Sequence, residues 1–292
     1  MLPAEVIKKI RRIQIKTTRL VTDVFAGQYE SVFKGKGMEF DEVREYYPGD
    51  DVRSIDWNVT ARTGHPHIKK FIEERQLTIM LLLDASGSCH FGSVNRLKSE
   101  LIAEVCAVLA FSAIKNNDRV GLIIFTDRIE KFIPPKKGLR HVLRVIKEAL
   151  YYKPASKGTD ISQALEYLNK VTTRSAVTFL ISDFVSEDIK KPLAIANKRH
   201  DLIAIDVKDP KEFSLPKVGI VAVKDAETGQ ELELDTRDNL FLEDYKRKAL
   251  SQFEEINKLF KSISIDCINV STDRPYTDEL VKFFRMREKR FR

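Results

Sequence analysis

The chain has 292 residues, 43% hydrophobic and 32% charged, with a formal net charge of +7, the mix of a globular protein with a sizeable core. No run of about 18 uncharged apolar residues occurs, so no bilayer-spanning helix is expected. The opening MLPAEVIKKIRRIQIK interleaves charges with its apolar residues, which excludes a signal-peptide reading and leaves a cytoplasmic protein as the expectation.

Cys89, Cys106 and Cys267 are scattered, odd in number and without a Cys-x-x-Cys pair. Neither a disulfide framework nor a zinc ribbon is expected, and a reducing compartment fits. Basic residues gather at the ends: Lys8, Lys9, Arg11, Arg12, Lys16 and Arg19 at one, Lys282, Arg285, Arg287, Lys289, Arg290 and Arg292 at the other. They read as a solvated helix face at each terminus. The sharper alternative is peripheral contact with an anionic surface, a membrane included. No RNA-binding or zinc-finger motif points to specific nucleic-acid recognition.

In chain order, residues 3–24 carry Val6, Ile10, Ile13, Leu20, Val21 and Val24 close to helical spacing. Residues 27–75 break that pattern with Gly, Pro and many aromatics, and read as an irregular ordered extension with short strands. There Arg53 is expected to pair with one of Asp50, Asp51 or Asp56 over a packed Trp57. His65-Pro66-His67 reads as a turn with exposed imidazoles. Residues 1–75 are thus expected to form a helix and extension packed on a main domain, 76–292.

The main domain alternates regularly. Apolar strands are expected at 77–84, 119–126, 175–182, 201–207 and 264–270, with a short one at 129–133. Helices are expected at 96–117, 138–151, 161–172, 187–200, 237–262 and 277–290, and a hairpin at 218–235 within an insertion of about 215–236. Strands that are apolar throughout are buried on both faces, and helices between them supply right-handed crossovers. The expected fold is a doubly wound, mostly parallel α/β sheet. Ligands of such sheets sit outside the carboxyl ends of the strands, near the switch point in strand order.

Chemistry gathers there. The first of these strands ends in Asp84-Ala85-Ser86-Gly87-Ser88 and the 175–182 strand in Ser182-Asp183, while Lys157-Gly158-Thr159-Asp160 precedes a helix. Two carboxylates and three hydroxyls on three loops are hard oxygen donors with little charge. They suit Mg²⁺, with Mn²⁺ or Ca²⁺ as substitutes. Helix capping is the plainer role for such residues, and Asp160 is expected to be a cap.

Asp84, Ser86 and Ser88 in D-x-S-x-S, Thr159 and Asp183 resemble the metal-ion-dependent adhesion site of von Willebrand factor type A domains. Gly37 to Tyr46 and Pro48 to Trp57 resemble the signature of a bacterial family of unknown function, family fifty-eight, often encoded beside MoxR-type AAA+ ATPases. Many members carry N-terminal membrane helices, and a soluble version is expected here.

The resemblance implies that the hydroxyls of Ser86, Ser88 and Thr159 bind the cation directly. Asp84 and Asp183 would bind it directly or through water, and its open position would take a Glu or Asp of a partner protein. The expected function is a non-enzymatic, cation-dependent adaptor or chaperone partner of a MoxR-type AAA+ ATPase or its client.

An alternative is a Mg²⁺-dependent phosphotransferase or phosphatase with Asp84 as nucleophile. It departs from the haloacid-dehalogenase pattern at Ser86, where a second Asp is needed. Cys89-His90 is a weaker candidate for a nucleophile and its base, because adjacent side chains diverge.

Overall fold

The computed structural model describes residues 39–72, 76–94, 96–186 and 188–291. The helix expected over 3–24 lies outside them. The described chain divides into two compact units, one ending at Leu77 and the other beginning at Thr78.

In the first unit, β1 (Glu39–Glu45) pairs antiparallel with β2 (His67–Ile72). Polar residues of the connecting segment organise it locally. Asp50 takes two hydrogen bonds from the Arg44 guanidinium, at 2.8 and 2.9 Å, and a third from the Tyr47 amide. Asp51 caps a single 3₁₀ turn, Val52–Ser54, and Asp56 caps α1 (Trp57–Thr63) by accepting from the amides of Asn58 and Val59. The expected ion pair therefore has Arg44, not Arg53, as its cation. Trp57 is 70% exposed rather than packed beneath it, because it opens a short helix that buries none of its residues. His65 is exposed and His67 half-buried, with its ring on the His65 carbonyl.

The second unit runs β3 (Thr78–Asp84), α2 (Lys98–Lys115), β4 (Arg119–Phe125), β5 (Ile129–Lys136), α3 (Leu139–Tyr151), α4 (Ile161–Val171) and β6 (Val177–Ser182). It continues through α5 (Lys190–Arg199), β7 (Asp201–Lys208), α6 (Pro210–Phe213), β8 (Ile220–Lys224), β9 (Glu231–Asp235), α7 (Asn239–Ser262), β10 (Asp266–Ser271) and α8 (Tyr276–Phe291). The six-stranded sheet has the order β10-β7-β6-β3-β4-β5 and is parallel except for β5, which joins β4 as an antiparallel edge. The doubly wound α/β architecture is thus the expected one.

The strand order reverses at β3, whose chain continues to β4 on one side while β6 lies on the other. The carboxyl ends of β3 and β6 are therefore neighbours, with Leu83 beside Ile181. Met80 and Leu82 join α4, α5 and α7 in one core, and the alternate Ile79, Leu81 and Leu83 are buried on the opposite face. Each such side chain stabilises the fold by about 1.5–3 kcal/mol.

Helix α2 is buried almost all round from Leu101 to Ala113, more than the single apolar face expected. β5 extends through Pro134-Pro135, which an edge strand tolerates because a missing amide there leaves no ladder bond unmade. The sequence reading also missed α6. Pro210 opens it, and Asp209 and Glu212 form a reciprocal capping box.

The C-terminal basic residues are partly used inside the fold. Arg287 is buried and binds Asp201 and Asp266, which Arg290 also reaches at 2.7 Å. Among the described residues no helix is long and apolar enough to cross a membrane.

His200 is buried between α5 and β7. Its Nδ1 accepts from the Ala176 amide at 3.3 Å and its Nε2 faces the Asn169 amide oxygen at 3.2 Å, which assigns a neutral ring. Burial, helped by the Arg199 charge, lowers its pKa from 6.5 to about 4. The unfolded chain therefore takes up this proton first as pH falls. The ring's contribution is complete above pH 6.5 and is lost between 6.5 and about 4. Melting curves of the protein and of His200→Gln should diverge across that window, with the native chain losing about 2 kcal/mol more than the variant. Parallel curves would contradict this.

Candidate metal centre

Asp84 is the last residue of β3 and is only 3% exposed. Its Oδ1 accepts from the Ser86 amide at 2.9 Å, and its Oδ2 from the Ser182 hydroxyl at 2.5 Å. Ser182 in turn accepts from the Phe184 amide at 3.0 Å. Phe184 has φ 53, an unusual left-handed conformation for a bulky residue, and its ring packs edge-on against Phe260 at 5.0 Å. The turn after β6 is thus held by packing and by Ser182, and it presents Asp183 beside Asp84.

The loop after β3 makes one 3₁₀ turn, Gly87–His90. It places the Ser86 and Ser88 hydroxyl oxygens 3.0 Å apart. The Gly87 amide donates to the Lys157 carbonyl at 2.8 Å and the Asp160 amide to the Thr126 carbonyl at 2.9 Å, which bring the threonine loop to the same sheet edge. Glu130 fixes that loop from below by accepting from the amides of Ala155 and Ser156, each at 3.1 Å. Asp160 caps α4 through the Gln163 amide, as expected.

Thr159 donates its hydroxyl to Glu227 Oε1 at 2.8 Å, a partner in the β8–β9 turn that sequence reasoning did not foresee. The structure thus gathers Asp84, Ser86, Ser88 and Asp183 around the ends of β3 and β6. Thr159 stands on the adjoining loop, against the hairpin tip.

Lys98 was also missed. It is the first residue of α2 and is 1% exposed, with Nζ 2.7 Å from Asp183 Oδ2 and in contact with Glu212. The signal was present: Lys98 lies three, four and seven residues before the apolar Leu101, Ile102 and Val105, on a face that should be apolar. Lys208 adds a bond to the Asp183 carbonyl and lies 3.2 Å from Asp206. Asp206 is fully buried, and the Lys208 ammonium is the charge that faces its carboxylate.

These contacts set the charges. Burial raises the Asp84 pKa, and the nearby Asp183 charge raises it further, against the pull of Ser182 and Ser86. Burial alone would raise Asp183 too, but the Lys98 and Lys208 ammonium groups bring it below the usual carboxylate range. Asp206 is pushed up to about 7, first by burial. Burial also raises the Cys89 thiol, which therefore stays protonated and is a poor nucleophile.

The donor set fits a small, hard cation. Among the described residues no group of three His, Cys, Asp or Glu side chains is placed to hold a metal. Adjacent corners of an octahedron with bonds of about 2.1 Å stand about 3.0 Å apart. The Ser86 and Ser88 hydroxyls, hydrogen-bonded to each other, have that separation, and Asp84 accepts from the Ser86 amide.

A family model described as a protein of unknown function, DUF58, matches residues 42–255. The uncharacterized protein Rv1480 of Mycobacterium tuberculosis is 30% identical over 284 residues, 96% of this chain and 89% of that one. The uncharacterized protein YeaD of Bacillus subtilis is 27% identical over 168 residues, 57% of this chain and 40% of that one.

Among solved structures, an aerotolerance-related membrane protein from Bacteroides fragilis aligns with 73% of this chain and 99% of its own, at 15% identity and a TM-score of 0.49. The SpRpn10 VWA domain aligns with 70% and 94%, at 12% identity and a TM-score of 0.36. These structural likenesses are loose, and the fold is assigned from strand order and register. The family match spans most of the chain and the mycobacterial relative nearly all of it: the chain belongs to the DUF58 family of proteins of unknown function.

Proposed function

We propose that this chain is a non-catalytic protein-binding module whose grip depends on a divalent cation, Mg²⁺ or in its place Mn²⁺ or Ca²⁺, held by Asp84, Ser86, Ser88, Thr159 and Asp183. The observation that carries the reading is the convergence of the Ser86 and Ser88 hydroxyls, hydrogen-bonded to each other at 3.0 Å, with a buried Asp84 that accepts from the Ser86 amide. The bound cation would supply one electrophilic position for a carboxylate from outside.

The protein's own groups do the rest. Asp84 accepts from Ser86 and Ser182, which fixes the loop; Asp183, neutralised by Lys98, adds little net negative charge. A weakly charged donor set leaves the cation's affinity for a further anion high. Both Asp84 oxygens already accept hydrogen bonds, an arrangement that suits a positioning group better than a nucleophile.

The partner would present a Glu or Asp, and a MoxR-type AAA+ ATPase or its client is the candidate implied by the sequence resemblance. Next to Asp183 lies a cleft of about 790 Å³ lined by Phe184, Val185, Lys208, Phe213, Tyr245 and Phe253 among others, room for side chains flanking that acid.

Isothermal titration should show Mg²⁺ and Mn²⁺ binding at one site, weakened at least about tenfold by Ser86→Ala and abolished by Asp84→Ala in a chain that remains folded. Equal binding by all three would overturn the site. In affinity capture from cells, the partner should be retained by the native chain in Mg²⁺ and released by chelator or by Asp84→Ala. Retention indifferent to both would show that the grip lies elsewhere.

A further inference from the structure

The hairpin of β8 and β9 has no role in the sheet, yet its tip lies on the candidate metal centre. Asp225 shapes the turn by accepting from the amides of Glu227 and Thr228, at 2.9 and 2.6 Å. The tip presses closely on the first loop: a Cβ added to Gly87 would stand 2.2 Å from the Ala226 carbonyl oxygen. Only a residue without a side chain admits this approach. Beside Ala226, Glu227 is half-buried and reaches Thr159 at 2.8 Å.

That distance matters. It is the length of a hydroxyl-to-carboxylate hydrogen bond, and it also leaves both oxygens close to the separation of about 3.0 Å between neighbouring ligands of one octahedral cation. With Thr159 as a ligand, Glu227 Oε1 is near enough to bind the same cation. The bond is also the Glu227 side-chain hydrogen bond that the structure shows, so the carboxylate is directed at the site rather than at a lysine.

We infer that Glu227 is a built-in carboxylate ligand of this centre, carried on the hairpin, and that it occupies the position a partner's acidic residue would take. The inference rests on the proposed cation site and assigns it a regulated state. With the tip down, the chain satisfies its own cation and the partner is excluded. An acidic partner residue must displace Glu227, after which the β8–β9 hairpin is free to lift from Gly87. The exchange is one carboxylate for another, so it requires no change of charge at the centre.

The test uses the full chain and Mn²⁺ as the probe. Titration calorimetry is run on the native protein, Glu227→Gln, Glu227→Ala and Asp84→Ala. Amide hydrogen exchange at residues 225–229 is followed with and without the metal. Mn²⁺ is expected to slow exchange at the tip of the native chain only, and both Glu227 variants should bind it about ten- to a hundredfold more weakly. Gly87→Ala, which has no room for its methyl beneath Ala226, should abolish the metal-dependent protection in the same way.

If Asp84→Ala abolishes binding while the Glu227 variants keep native affinity and the tip gains no protection, Glu227 is not a ligand and the cation site stands alone. If Asp84→Ala and the native chain behave alike, the cation site itself is wrong and this inference falls with it.

Discussion

The second unit turns on two carboxylates buried at adjacent strand ends. Asp84 and Asp183 close β3 and β6 at the point where the strand order reverses, and each is almost wholly shielded from water. Burial of two like charges side by side is costly unless each is compensated. Lys98 compensates Asp183 directly, while Asp84 accepts hydrogen bonds from the Ser182 hydroxyl and the Ser86 amide. A cation between the serine hydroxyls would complete that balance. The constraint accounts for the lysine buried at the start of α2.

Much of the remaining architecture holds the loops in place around this pair. Glu130 ties down the threonine loop, and Asp209 accepts from Ser93, Lys211 and Thr272 to join three segments behind Lys98 and Glu212. Such preorganisation lowers the ordering cost of taking up a ligand, because the donors are held before it arrives.

The sheet was largely legible in the sequence because uninterrupted apolar runs such as 79–83 and 177–181 admit few other readings once helices alternate with them. The five candidate ligands were legible because three lie within one pentapeptide and the others at loop boundaries. What escaped was tertiary. Glu227 stands 68 residues from Thr159, and nothing in an Asp-Ala-Glu-Thr-Gly turn announces where its tip will land. Lys98 left a trace, a cation on an apolar helical face. The capping box at Asp209 and Glu212 was hidden by its brevity. In the first unit the sequence paired Arg53 with one of Asp50, Asp51 or Asp56, whereas Asp50 binds Arg44 and Asp51 and Asp56 cap local turns.

The central claim is that Ser86, Ser88 and Thr159 share one cation, and diffraction from crystals soaked in Mn²⁺ tests it most directly. The account requires a single strong anomalous peak bonded to those hydroxyls at about 2.2 Å, with Asp84 and Asp183 in the first or second shell, and no such peak in Asp84→Ala crystals. Well-ordered loops without a peak between them at millimolar Mn²⁺, or a peak bound by other residues, would contradict it.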